Sequence, residues 1–344
     1  VRGVLLPDTF PRVISASAPA RVDLAGGTLD LWPLHVLHPG SVTVNVAIAM
    51  FASCRVRPDA PAFRVFARDG AFDFTSPDAA GLLEEPRSAL VGSLLDALRI
   101  ADPVEVELAT EVPFGSGLGG SSALTVCLLG ALESLSPRDL SRVDRVDLVR
   151  DVETRVLGKP AGVQDYYPPL SGGLHTIRFE AGQTVALRKD VEPAAWERHM
   201  TLYDTGAAHS SGMNNWEILR ARLEGDPRVA ADLDGVRDAA EEMSSAVAAG
   251  DFAAMGEALG KEWEARRRLA PVVATPSIDR SISAARAGGA WGGKACGAGG
   301  GGFVVMLSPE KATAGVREAL SALGEGRVVT TAVVSRGLDV RRDS

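Results

Sequence analysis

The run Pro113-Phe114-Gly115-Ser116-Gly117-Leu118-Gly119-Gly120-Ser121-Ser122-Ala123 decides how this chain of 344 residues is read. Before it, residues 104–108 alternate acidic and apolar side chains, the period of two that a half-buried strand requires. After it, residues 121–135 have helix-forming composition and a serine at the expected N-cap. Glycines let the backbone come close to an anion, and a helix start adds unpaired N–H groups and the positive end of the dipole. The run therefore reads as a phosphate-binding turn; a merely tight strand-to-helix connection needs neither these glycines nor paired hydroxyls. Residues 115–120 also satisfy G-x-G-x-x-G, but the proline before them and the serines after them depart from a dinucleotide fingerprint.

A second glycine cluster lies far downstream. Residues 288–294 satisfy G-x-x-x-x-G-K, yet Ala295 stands where a P-loop needs Ser or Thr to hold magnesium, which excludes a Walker A motif. Residues 294–303 are too glycine-dense for a helix interior or a plain strand. Flanked by Trp291 and the apolar residues 303–307, they read as a packed loop that another group approaches closely.

Around these two loops the pattern implies a strand over 41–57, a hairpin over 63–74 turning at Asp69-Gly70, and a helix over 88–98. A further helix from about Asp144 carries Leu148, Val149, Val152 and Val156 on one stripe and stops at Gly158. Strands follow over 174–179 and 184–187. Beyond residue 190 the texture changes to long Ala-, Glu- and Arg-rich helices, then strands over 302–307 and 327–334 around a helix that starts at Ser308-Pro309. Two domains are implied, 1–190 and 191–344.

Composition limits the function. With 36 Lys and Arg against 44 Asp and Glu, the formal charge of -8 argues against a general nucleic-acid or anionic-membrane surface, so any phosphate must be held by a local site. Cys54, Cys127 and Cys296 form no C-x-x-C pair, which suits a reducing cytoplasm. The first residues lack the apolar core of a signal peptide, and the uncharged stretches 31–54 and 112–132 are too broken by Pro, Gly and Ser to span a membrane. His35 and His38, beside prolines and without a third ligand, read as loop histidines.

Three separated motifs, Ala18-Pro-Ala-Arg-Val-Asp-Leu-Ala-Gly-Gly-Thr-Leu-Asp30, the 113–123 run and the glycine cluster after Lys294, together resemble the GHMP kinases, the superfamily of galactokinase, homoserine kinase, mevalonate kinase and phosphomevalonate kinase. The Ala25-Gly-Gly pattern, Gln164-Asp165 and Thr205-Gly206 look most like the branch of heptose-phosphate kinases and fucokinase-like enzymes. The resemblance implies an α+β, two-lobed fold: an N-terminal lobe like ribosomal protein S5 domain 2 carrying the nucleotide loop, and a ferredoxin-like C-terminal lobe. It implies ATP and Mg2+, and an acceptor hydroxyl on a sugar or sugar phosphate. An isoprenoid-pathway kinase or decarboxylase is the alternative on the same fold, and a non-catalytic nucleotide or sugar sensor the alternative from another class.

Carried over residue by residue, the resemblance assigns Pro113, Gly115, Ser116, Gly117, Leu118, Gly119, Gly120, Ser121 and Ser122 to the nucleotide. Ser121 matches the family's magnesium serine, but Gly120 replaces the usual preceding serine and Ser122 a usual alanine, so Ser121 and Ser122 compete for the role. Glu153 resembles the helix glutamate that completes the metal site; on position alone an ordinary solvated glutamate would read the same. Asp165 resembles the catalytic aspartate that orients the hydroxyl and takes its proton, and Arg21 the arginine beside it and the transferred phosphoryl group. Asp30 resembles the aspartate that binds sugar hydroxyls, with Asp23, Gly26, Gly27, Thr28 and His209 expected on the acceptor side. No Glu-His pair precedes Asp30, which speaks against galactokinase specifically; Gly26 and Gly27 are expected to leave the pocket open there.

Overall fold

A computed structural model describes residues 13–180, 182–207 and 211–342. Its elements are mixed α and β, and the chain builds two sheets. In the first, the order runs Asp339–Arg342, Ile14–Ala25, Val42–Arg57, Glu105–Thr110, Phe63–Ala67 and Asp73–Ser76, with Leu174–Glu180 pairing onto the early half of Val42–Arg57 and Gln183–Lys189 pairing in turn onto Leu174–Glu180. Every pairing is antiparallel except Phe63–Ala67 with Glu105–Thr110. The second sheet is antiparallel throughout, in the order Arg327–Val329, Met200–Asp204, Phe303–Leu307, Gly292–Ala295.

Ile14–Ala25 is the strand that local pattern does not announce. Its Ser, Ala and Pro residues have weak strand preference, and Pro19 sits where the register with Val42–Arg57 shifts, the bulge position at which a strand proline is tolerated. The strand forms because both neighbours bury it. Ile14, Ala16 and Ala18 enter a core under the helices Ala89–Leu98, Gly120–Glu133 and Arg142–Leu157, whereas Ala20, Val22 and Leu24 enter a second core against Met243, Leu259 and Phe303. The odd-numbered Arg21 and Asp23 therefore share the opposite face. The same alternation in Phe303–Leu307 sends Val305 and Leu307 to one core and Val304 and Met306 to another.

Several boundaries move from their expected places. The phosphate-loop helix is Gly120–Glu133, with Gly119 in the left-handed conformation at its N-cap and no side-chain cap, so Ser121 and Ser122 lie inside the first turn. The helix expected from Asp144 is Arg142–Leu157; a capping box between Ser141 and Asp144 starts it, and Gly158 in the left-handed region ends it. Its buried stripe is Val146, Val149, Val152 and Glu153, which keeps Val149 and Val152 of the expected one, while Leu148 and Val156 are only half-buried. The strand expected over 327–334 is regular only over Arg327–Val329. No helix among the described residues is long and apolar enough to cross a membrane.

Candidate functional site

Arg21 and Asp165 meet across 144 residues of sequence. The Arg21 Nε and Nη2 groups donate to the two oxygens of Asp165, both at 2.8 Å, and Nη1 donates to the carbonyl of Gly117. A guanidinium carries five N–H donors, so one remains on each Nη. Arg21 is buried, whereas the Asp165 side chain keeps 29% of its surface: the arginine stands behind and the carboxylate faces out. The short helical turn Gln164–Tyr166 carries Asp165 to this place.

The phosphate loop closes over Arg21. The Arg21 N–H donates to the carbonyl of Leu118 at 3.0 Å, and a Cβ on Gly119 would stand 3.3 Å from the Arg21 side chain, with φ at +72° disfavouring any residue but glycine. Gly115 and Gly117 also have positive φ. Ser116 and Leu118 turn into the protein, and the carbonyl of Ser116 accepts from the Phe303 N–H at 2.9 Å. The downstream cluster packs against this loop: a Cβ on Gly302 would lie 2.4 Å from the Ser116 carbonyl oxygen, and one on Gly297 3.1 Å from that of Gly117. Close approach is thus the reason for those glycines, and what approaches is the 113–123 loop itself.

Glu153 reaches the start of the same helix. It is buried, and its oxygens accept from the hydroxyls of Ser121 at 3.2 Å, Thr125 at 3.2 Å, Ser122 at 3.4 Å and Tyr166. No cation contacts it among the described residues, and burial pushes its pKa up, opposed by the Tyr166 hydroxyl. One carboxylate with several hydroxyl oxygens is a hard donor set that fits Mg2+. Ser121 is exposed, while Ser122 is buried.

Of the residues expected on the acceptor side, Asp30 is buried and accepts from the Gln164 N–H at 3.0 Å. Burial first, then the nearby charge of Asp165, pushes its pKa up to about 7. The expected open space at Gly26 and Gly27 is filled. A Cβ on Gly26 would lie 2.0 Å from the Val42 carbonyl oxygen, and one on Gly27 2.7 Å from both Asp23 Oδ2 and Gln164 Nε2. Asp23 does not face an open pocket either. It is fully buried and accepts from Lys294 Nζ at 2.8 Å; burial works to raise its pKa, and Lys294, Arg266 and Arg21 together hold it below the usual carboxylate range. Thr28 is buried with its hydroxyl engaged on both sides, and His209 lies outside the described residues.

Around Asp23 stands a buried quartet that the sequence reading does not assemble. Lys294 Nζ is 3.2 Å from Glu262 Oε1, which also accepts from Arg266 Nε at 2.8 Å and Nη2 at 2.6 Å. Glu262 and Arg266, four residues apart on Phe252–Arg266, look in sequence like a solvated helix pair. Their burial among Trp263 and Leu259 is set by tertiary packing. His35 stacks on Phe179; His38 accepts at Nε2 from Arg222, so its Nδ1 carries the hydrogen given to Asp234.

Comparison with known proteins follows this geometry. Residues 88–173 match the family model of the GHMP kinases N terminal domain, and residues 243–326 that of the GHMP kinases C terminal. The chain is 27% identical over 314 residues to a D-glycero-alpha-D-manno-heptose 7-phosphate kinase of Campylobacter jejuni, covering 86% of this chain and 89% of the relative. It is 26% identical over 373 residues to an L-fucokinase/L-fucose-1-P guanylyltransferase of Bacteroides fragilis, covering 96% of this chain but 39% of that longer protein. Among solved structures, a D-glycero-D-manno-heptose 1-phosphate kinase from Bacteroides thetaiotaomicron superposes with a TM-score of 0.76 at 21% identity, covering 96% of this chain and 99% of the other.

Proposed function

The chain belongs to the GHMP kinases, phosphotransferases with an alcohol group as acceptor, and from that premise we propose that it transfers the terminal phosphoryl group of MgATP to a hydroxyl of a sugar or sugar phosphate. The observation that carries the proposal is the Arg21–Asp165 pair beneath the phosphate loop, a partly exposed carboxylate whose two oxygens are fixed by one guanidinium.

In this reading the backbone N–H groups of residues 119–122, at the start of Gly120–Glu133, receive the ATP phosphates. Glu153 with the hydroxyl of Ser121 or Ser122 would hold Mg2+, which when bound neutralises charge on the phosphates. Asp165 orients the acceptor hydroxyl and takes its proton while the new O–P bond forms and the bond to the ADP oxygen breaks; the proton then passes to solvent. Arg21 fixes the carboxylate and turns its two remaining N–H donors toward the phosphoryl oxygens. Asp30, with one oxygen bonded to the Gln164 N–H, accepts from acceptor hydroxyls through the other. The sugar class is favoured by the heptose- and fucose-phosphorylating relatives and by a carboxylate suited to vicinal hydroxyls.

The test is ADP release measured across a panel of sugars, sugar phosphates and mevalonate. Release that depends on a sugar or sugar phosphate is the expected result. Turnover with mevalonate alone would move the chain to the isoprenoid kinases, and none with any acceptor would make it a sensor.

A further inference from the structure

The turn that leads to Asp30 is held from the far side of the molecule. The Gly26 N–H donates to Glu262 Oε1 at 3.3 Å, the Gly27 carbonyl accepts from Arg266 Nη2 at 2.7 Å, and Thr28 Oγ1 accepts from Arg266 Nη1 at 3.2 Å. Thr28 passes the chain on, donating to Asn215 Oδ1 at 2.8 Å on the helix Ser211–Leu223. Arg266 thus grips two successive residues with one rigid fork while Glu262 fixes the fork and the residue before them. Thr28 has φ at +77°, a left-handed conformation that a β-branched residue keeps only where its surroundings impose it. The turn has no slack: the Val42 carbonyl blocks one side at Gly26, and Asp23 with Gln164 blocks the other at Gly27. Gln164 is both the residue that bonds Asp30 and the neighbour of Asp165.

A buried ion cluster is seldom worth more to stability than apolar residues of the same volume, so stability is a poor account of why Glu262, Arg266, Lys294 and Asp23 stand here. Their directional bonds supply something apolar residues cannot, a fixed backbone path for residues 26–30. We propose that Glu262 and Arg266 are positioning residues for the acceptor: a helix of the C-terminal lobe sets the shape of the turn and thereby the place of Asp30. This rests on the reading of Asp30 as the group that meets the acceptor. Lys294 and Asp23 complete the device, the lysine holding Glu262 against its arginine and Asp23 backing Gly27.

Two variants test it. Arg266→Lys keeps a cation beside Glu262 but lacks the fork that spans Gly27 and Thr28. Thr28→Val keeps the shape of a residue in the turn and removes both hydroxyl bonds, and it carries the test should Arg266→Lys fail to fold. In each, KM for the acceptor is expected to rise about tenfold, the loss of one charge-assisted hydrogen bond, with KM for ATP within about twofold of the parent. Amide hydrogen exchange should quicken in residues 26–31 and stay unchanged in 117–123. Unchanged exchange in 26–31 overturns the proposal, and so does a parallel rise of both KM values. If the parent chain turns over no acceptor, the kinase reading fails, and the exchange comparison still decides whether Arg266 sets the turn.

Discussion

Glu153 and Glu262 are both helix glutamates with almost no exposed surface, yet the first meets only hydroxyls and the second meets Arg266 and Lys294. A buried carboxylate surrounded by neutral donors keeps a charge that nothing nearby balances, which is why its proton affinity rises and why it is proposed to receive the cation that comes with the nucleotide. A buried carboxylate already paired with cations has its charge balanced and serves to fix geometry. The same residue type on the same kind of element thus divides by its partners into a group poised for a ligand and a group that holds a shape. Asp30, bonded to a neutral backbone N–H, belongs with Glu153 in this division and Asp23 with Glu262, while Asp165 stands between them, ion-paired to Arg21 yet partly exposed.

The sharpest way to break the contrast is to unbalance the paired side. Lys294→Met takes the cation shared by Asp23 and Glu262 out of the buried cluster, and should cost about 3–5 kcal/mol in denaturant unfolding. A loss under about 1 kcal/mol would mean that the quartet is already open to water. Next comes Asp165→Asn, which cannot accept the proton: single-turnover transfer should fall at least about a hundredfold while calorimetry still registers ATP and acceptor. Near-normal transfer excludes Asp165 as the base, and loss of ATP binding would make it a metal-linked carboxylate instead.

Asp30→Ala should lower kcat/KM for the acceptor by about 1–3 kcal/mol at the barrier and leave ATP affinity alone. Its titration adds a sign. The folded value of about 7 lies above that of an unfolded aspartate, so the folded chain binds the extra proton. The contribution of Asp30 is therefore most favourable at acid pH and is lost as pH rises to about 7, a slope that Asp30→Asn should flatten in a stability–pH series. The smallest expected effect is on folding in Glu153→Gln, within about 1 kcal/mol of the parent without metal, because the charge it removes has no partner. The same variant should raise the magnesium needed for half-maximal turnover; an unchanged requirement would detach Glu153 from the metal.

Some of this was legible in the chain and some was not, for physical reasons. The 113–123 loop can be read because glycine spacing and a following helix are local facts, and Gly115, Gly117 and Gly119 do adopt positive φ. The pairing of Arg21 with Asp165 comes only by way of a resemblance, since 144 residues separate them. Asp23 is readable as a polar residue three positions before a glycine pair, but nothing local says that Lys294, 271 residues on, will neutralise it. Arg266 and Glu262 sit in a helix whose composition looks solvated. The stripe that places Glu153 inward is set by Val146, a position at which the helix start must first be located through the Ser141 capping box.

The strand Asp339–Arg342 pairs with the start of Ile14–Ala25, and just before it the Leu338 side chain fills the space over Gly130, where a Cβ would come within 2.7 Å of it. During synthesis on the ribosome the N-terminal sheet is therefore left with a bare edge, and the phosphate-loop helix with a vacant notch, until the other lobe has been made. Chains cut short of residue 338 would keep every group proposed above for catalysis and still present that edge to one another, a template for strand exchange between nascent copies.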